Sequence, residues 1–220
     1  MSAIGPIPPS KDTCHGSSMA PFGPRLLLVR HGIAEDRSQD RPDGLRALTP
    51  AGRRRTTAVL ERAVALGLTA DRLMSSPLVR ARQTAEIALR AGLAPCLELA
   101  TALEPGADPL PLLARWLATP IALAPQTPGS HPPGAASSPR ADPSTPAADR
   151  PLRLALVGHE PDLGDLAARL LGAPLGSIAL RKAGLALLEL PRSAQGHLKD
   201  QAAAGAWSLQ QLLTPRTLLA

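Results

Sequence analysis

Two short, unbroken apolar runs constrain this chain more than any other feature: Leu26-Leu27-Leu28-Val29 and Leu154-Ala155-Leu156-Val157. Each stops at a histidine, the first through Arg30-His31-Gly32 and the second through Gly158-His159. Apolar runs this short, without polar alternation, suit strands buried on both faces in a parallel sheet covered by helices. If both strands point the same way in one sheet, both histidines emerge at its carboxyl edge, where open α/β sheets bind ligands. Two imidazoles then converge.

The rest of the chain reads as alternating strand and helix, which predicts an α/β protein: a three-layer αβα sandwich around a mostly parallel central sheet. Strands are expected at 25–30, 72–75, 96–99, 152–157, 183–190 and 206–213. Thr49-Pro50 gives a cap followed by proline at the first helical position, with Gly67 as the stop. Ser76-Pro77 repeats that signal for a helix over 78–91, and this places Arg80 in or just beyond the first turn, where backbone N–H groups already favour an anion. Further helices are expected at 109–118 and 162–171.

Residues 1–24 are rich in Pro, Gly and Ser without periodicity, and nine prolines fall between 120 and 151 with almost nothing large and apolar beside them. Such stretches bury too little surface to offset ordering entropy. They predict a disordered tail over 1–24 and a disordered insertion over 119–151, interrupting one domain over 25–214. A short tail, 215–220, would follow it.

Aromatic residues make up only 1% of the 220 residues, so the core is expected from Leu, Val and Ala, and base-stacking surfaces for nucleic acid are disfavoured. The net charge of +6 is carried mainly by arginine, a side chain suited to a bidentate grip on phosphate. Arg53, Arg54 and Arg55 read first as a solvated helix face and second as a partner-docking patch. Two cysteines, Cys14 and Cys96, have no metal spacing and no disulfide framework. With no secretory signal and no long apolar run, a cytoplasmic protein without membrane association is expected.

A lone strand-end histidine is usually a core residue, but two at equivalent strand ends weaken that account. As metal ligands they would need a further donor such as Glu35, Asp36, Glu160 or Asp162, and Arg30 and Arg80 beside the site would repel a dication. No metal or cofactor is therefore expected. As a phosphoryl-transfer pair they need neither: a neutral imidazole attacks phosphorus, while arginine forks neutralise charge on the equatorial oxygens. Glycine at 32 and at 158 would let backbone and phosphate approach closely.

These residues resemble the histidine phosphatase superfamily, the phosphoglycerate mutase-like fold. Leu28-Val29-Arg30-His31-Gly32 looks like its RHG signature, Ser75 to Ala85 like its second motif, and Val157-Gly158-His159 like its third. Within it, Arg46 to Gly52, Gly158 to Leu163 and Leu212 to Pro215 are most similar to small phosphohistidine phosphatases of the SixA type. The resemblance implies His31 as the phosphorylated nucleophile, Arg30 and Arg80 as phosphate clamps and His159 as the second pocket histidine. Arg46 and Gly32 would also contact substrate; Arg82 and Gln83 would be structural. Larger relatives place a carboxylate proton donor after the third strand, where Glu104, then Asp108, is nearest here.

The expected activity is hydrolysis of phosphohistidine in a signalling or phosphotransfer protein. The alternatives are hydrolysis of a small phosphomonoester, such as a sugar phosphate or nucleotide, and non-catalytic binding of a phospho-ligand. The oligomeric state is not legible.

Overall fold

A computed structural model describes residues 23–118, 152–191 and 204–220. Residues 1–22 of the tail expected over 1–24 and the proline-rich insertion expected over 119–151 lie outside the described residues, while Gly23 is buried and the Pro24 carbonyl accepts from Leu190 N–H at 2.9 Å. Strands β1 (Arg25–Arg30), β2 (Arg72–Ser75), β3 (Leu97–Leu99), β4 (Arg153–Gly158), β5 (Leu185–Glu189) and β6 (Ser208–Leu213) form one sheet in the order β3-β2-β4-β1-β5-β6. β3, β2, β4 and β1 run parallel, and β5 and β6 close that edge as antiparallel neighbours.

Side chains alternate across a strand, so β1 feeds two cores. Leu26 and Leu28 join Leu113, Trp116, Leu163, Leu166 and Leu170 on one face. Leu27 and Val29 join Val59, Leu60, Ala63, Ala81, Ala85 and Ala88 on the other. Helices α3 (Leu110–Ala118) and α4 (Asp162–Leu171) therefore cover the first face, and α1 (Pro50–Ala65) and α2 (Val79–Arg90) the second. Each fully buried leucine contributes about 1.5–3 kcal/mol through removal from water. Alanines on the second face let α1 and α2 lie close to the sheet that carries the site.

The Thr49 hydroxyl caps α1 by accepting from the Gly52 amide at 2.9 Å, and Gly67 ends that turn with φ +80°. The cap expected at Ser76 falls differently. α2 starts at Val79, one residue later than expected, and the Ser76 hydroxyl accepts from Leu78 N–H while lying 3.0 Å from His159 Nε2. The two antiparallel strands, β5 and β6, are shorter than expected at their amino ends. Ala183 adopts φ +60°, its N–H donating to the carbonyls of Arg30 and His31, and Trp207 N–H turns aside to Leu170. Residues after Thr214, expected as a tail, instead form the short helix α5 (Pro215–Leu218), capped by Thr214, with Pro215 and Leu218 buried. No helix among the described residues is long and apolar enough to cross a membrane.

Candidate active site

The site is built by register. β1 and β4 pair in parallel with Arg30 opposite Gly158, so His31 and His159 are the next residues out of neighbouring strands. The ladder continues one step further, the His31 N–H donating to the Gly158 carbonyl at 3.1 Å. The two imidazole rings consequently stand with centroids 5.1 Å apart, tilted 54°.

His31 is 7% exposed and its Nδ1 lies 2.7 Å from the Gly32 carbonyl. A carbonyl oxygen can only accept, so Nδ1 carries the proton and Nε2 keeps its lone pair. The Gly32 amide in turn donates to Thr84 Oγ1 at 3.1 Å, and that hydroxyl donates to the Arg80 carbonyl at 2.8 Å. Strand end and helix start are thereby tied together. Burial chiefly pushes the His31 pKa down to about 3, with His159, Arg80 and Arg30 adding to the effect. Burial and then Arg80 push His159 down to about 4. Both rings are neutral at neutral pH.

Three arginines face the rings. Arg80, 3% exposed, donates from Nη1 to the Asp43 carbonyl at 2.8 Å and from Nη2 to the Asp43 carboxylate at 3.0 Å. Arg46 donates from Nε to that same carboxylate at 2.9 Å and from Nη1 to the Glu35 carbonyl at 2.8 Å. Arg30 donates from Nη1 to the Leu180 carbonyl at 2.8 Å. Partial burial pushes the Asp43 carboxyl up, but Arg80 and Arg46 outweigh it and hold the group below the usual carboxylate range. The buried Nε atoms of Arg30 and Arg80 have no hydrogen-bond partner among the described residues. The two guanidinium groups thus keep donors that the described residues do not use.

The cavity these groups share has a volume of about 210 Å³ and is also lined by Arg37, Asp43, Glu160 and Lys182. The structure thus brings Arg30, His31, Arg46, Arg80 and His159 together. Gly32 and Glu104 do not line the cavity. The Gly32 amide is spent on Thr84, and a Cβ there would stand 2.2 Å from Thr56 Oγ1, so this glycine admits helix α1 rather than a phosphate. Gly158 likewise faces the Leu163 side chain. At the rim Pro105 takes the place expected of Glu104, and Asp108 accepts from the Leu110 amide at 3.1 Å as a helix cap. Arg82 is exposed, 3.5 Å from Glu86, and Gln83 Oε1 accepts from Leu48 N–H at 2.8 Å.

Two carboxyls do line the cavity, Asp43, which the arginines hold, and Glu160. Burial raises the Glu160 pKa against the opposing Leu180 N–H and Arg30. Its position directly after His159 is the signal that could have singled it out. Asp43, three residues before Arg46, and the hydroxyls of Ser76 and Thr84 carry no such signal. Their roles depend on which strand and helix ends meet. Among the described residues no three His, Cys, Asp or Glu side chains cluster as metal ligands would.

A profile of the histidine phosphatase superfamily (branch 1) matches residues 26–102, which include His31, Arg46 and Arg80. An uncharacterized protein of Picosynechococcus sp. is 37% identical over 165 residues, spanning 73% of this chain and 81% of that protein. This chain belongs to the histidine phosphatase superfamily. Its phosphoglycerate mutase-like fold is shared with SixA of Agrobacterium tumefaciens, described as a phosphohistidine phosphatase (TM-score 0.58, 21% identity, 88% of this chain and 99% of that one). A tungstate complex of the protein histidine phosphatase SixA matches equally well, at 21% identity, TM-score 0.58 and the same coverage of 88% and 99%. A mycobacterial glucosyl-3-phosphoglycerate phosphatase also matches (TM-score 0.54, 20% identity, 87% and 99% of the two chains). One superfamily fold therefore serves phosphatases of unlike substrates, and membership supports phosphatase chemistry without choosing among them.

Proposed function

We propose that this chain is a metal-independent phosphatase that carries the phosphoryl group on His31 and acts on phosphohistidine in a signalling or phosphotransfer protein. The observation that carries the reading is the 2.7 Å contact of His31 Nδ1 with the Gly32 carbonyl, which leaves Nε2 as the nucleophilic nitrogen inside a ring of arginines. In the first step Nε2 attacks phosphorus and the bond from phosphorus to the substrate imidazole breaks, that nitrogen taking up a proton from solvent. In the second, water attacks the phosphorus on His31 and releases inorganic phosphate, returning Nε2 to its neutral form. The Arg30, Arg46 and Arg80 guanidinium groups offset charge on the transferring oxygens, a task for which preorganised donors are worth most. His159, neutral when free, can take a proton as the dianion arrives.

Cavity size supports a protein substrate. At about 210 Å³ it is smaller than the roughly 300–1,000 Å³ clefts that enclose drug-sized ligands. It has room for a phosphoryl group and the ring that bears it, with the remainder of the substrate outside. Phosphoramidate nitrogen is also a good leaving group, which suits a site that the Glu104 carboxyl does not line.

One observation favours a second reading, hydrolysis of a small phosphomonoester. Glu160 lines the cavity with a raised pKa and could protonate a departing alkoxide. A screen of phosphohistidine-bearing domains beside sugar phosphates and nucleotides, with His31→Ala as the blank, tests the assignment. Turnover of the domains with a trapped phosphoryl group absent from His31→Ala is expected. Efficient turnover of metabolites alone would replace the substrate with a small ester, and Glu160→Gln would then remove most of that activity.

A further inference from the structure

A second concavity, of about 580 Å³, adjoins the catalytic cavity and shares Arg30 and Lys182 with it. Its other cations are Arg55 from α1, Arg181 from the loop before β5 and Arg216 from α5, and no carboxylate is among its lining residues. We propose that this groove docks an acidic face of the protein that bears the phosphohistidine, an inference that rests on the function proposed above.

The charge pattern carries the argument. Arg25, Arg37, Arg41, Arg82, Arg153 and Arg169 each face a carboxylate within 4 Å. Arg55, Arg181, Lys182 and Arg216 are exposed, and none forms an ion pair with a described residue. Four uncompensated cations supplied by three separate elements repel one another until an anion arrives, and they raise the local potential for acidic partners.

The arrangement also selects the kind of anion. Arg80 is buried and held by two contacts, as suits a single tetrahedral group. The groove cations stand on exposed, flexible arms, as suits carboxylates dispersed over a surface. No aromatic side chain lines the groove to stack bases, which disfavours single-stranded nucleic acid. A phosphohistidine projects from a folded domain, so once the phosphoryl group enters the small cavity, the surface around it must lie over whatever adjoins that cavity. The groove adjoins it.

The test compares wild type with Arg55→Glu/Arg216→Glu, two residues outside the catalytic cavity. The substrates are a phosphotransfer domain with Asp and Glu around its phosphohistidine, that domain with those carboxylates changed to Asn and Gln, free phosphoramidate and a sugar bisphosphate. Charge reversal should lower kcat/KM on the acidic domain by about tenfold or more, through KM and with a weaker salt dependence, as loss of electrostatic docking requires. Phosphoramidate turnover should stay within about twofold, because exposed rim charges act on encounter rather than chemistry. Wild type should prefer the acidic domain over the amide version, and Arg55→Lys/Arg216→Lys should retain that preference. Turnover of both domains with no response to charge in either partner would overturn the docking assignment while leaving the catalytic one standing. An equal loss on phosphoramidate, or a loss confined to the sugar bisphosphate, would also overturn it. A wild type inert on both domains would instead remove the proposed function, and the docking face with it.

Discussion

At the scale of single residues, the site works by keeping two histidines uncharged beside three cations. Imidazole C–H resonances of His31 and His159 should therefore stay still between pH 5.5 and 8 in the free protein, since their pKa values lie near 3 and 4 rather than the ordinary value. A ring titrating near 6.5 would show that it is open to water and not buried. Arg80→Lys keeps the charge but loses the planar fork that meets Asp43, and it should lower kcat/KM roughly 10²-fold with little change in stability, because a displaced clamp misaligns the reacting atoms. Far-ultraviolet circular dichroism and steady-state kinetics on one preparation separate the two effects. Arg30, His31, Arg80 and His159 were legible from sequence because each stands at a strand or helix end beside a strong local pattern. Asp43 was not, because its role comes from Arg80, a guanidinium group 37 positions away that reaches it across the fold.

Between elements, the decisive contact is where α1 meets the turn after β1. Gly32→Ala would press a methyl group to within 2.2 Å of Thr56 Oγ1. Such overpacking costs about 1–3 kcal/mol, and the shift would also move the Gly32 carbonyl off His31 Nδ1. Thr56 Oγ1 is buried without a partner, so removing it sacrifices no hydrogen bond among the described residues. Gly32→Ala/Thr56→Ala should then recover much of the stability that Gly32→Ala loses. Urea denaturation of the two single variants and the double variant checks this, and strictly additive losses would refute it. Thr49→Ala, which deletes the side-chain cap of α1, should cost about 1 kcal/mol in that assay. Cap and stop signals placed α1 closely, whereas the Ser-Pro signal of α2 did not show that its serine would also meet His159.

Across the whole molecule, the two depressed imidazoles couple stability to pH. The unfolded chain binds their protons near pH 6.5, while the folded protein resists them until about 4 and 3, so the unfolded state holds more protons between these limits. Stability should rise with pH across that window. Urea midpoints at pH 4.5 and 7 should differ in favour of pH 7, and His31→Asn/His159→Asn should shrink the difference. The layered architecture was legible because the central strands are continuous apolar runs. The antiparallel edge was less so: positive φ at Ala183 and the inward turn of Trp207 trim strands that hydropathy alone extends.

The hydrogen bond from His31 N–H to the Gly158 carbonyl makes the two imidazoles part of the sheet's own spacing. Their separation is inherited from backbone pairing, which no rim loop can stretch. Descendants of such a chain are free to rebuild the rim and acquire new clientele while the phosphoryl-handling centre keeps its dimensions.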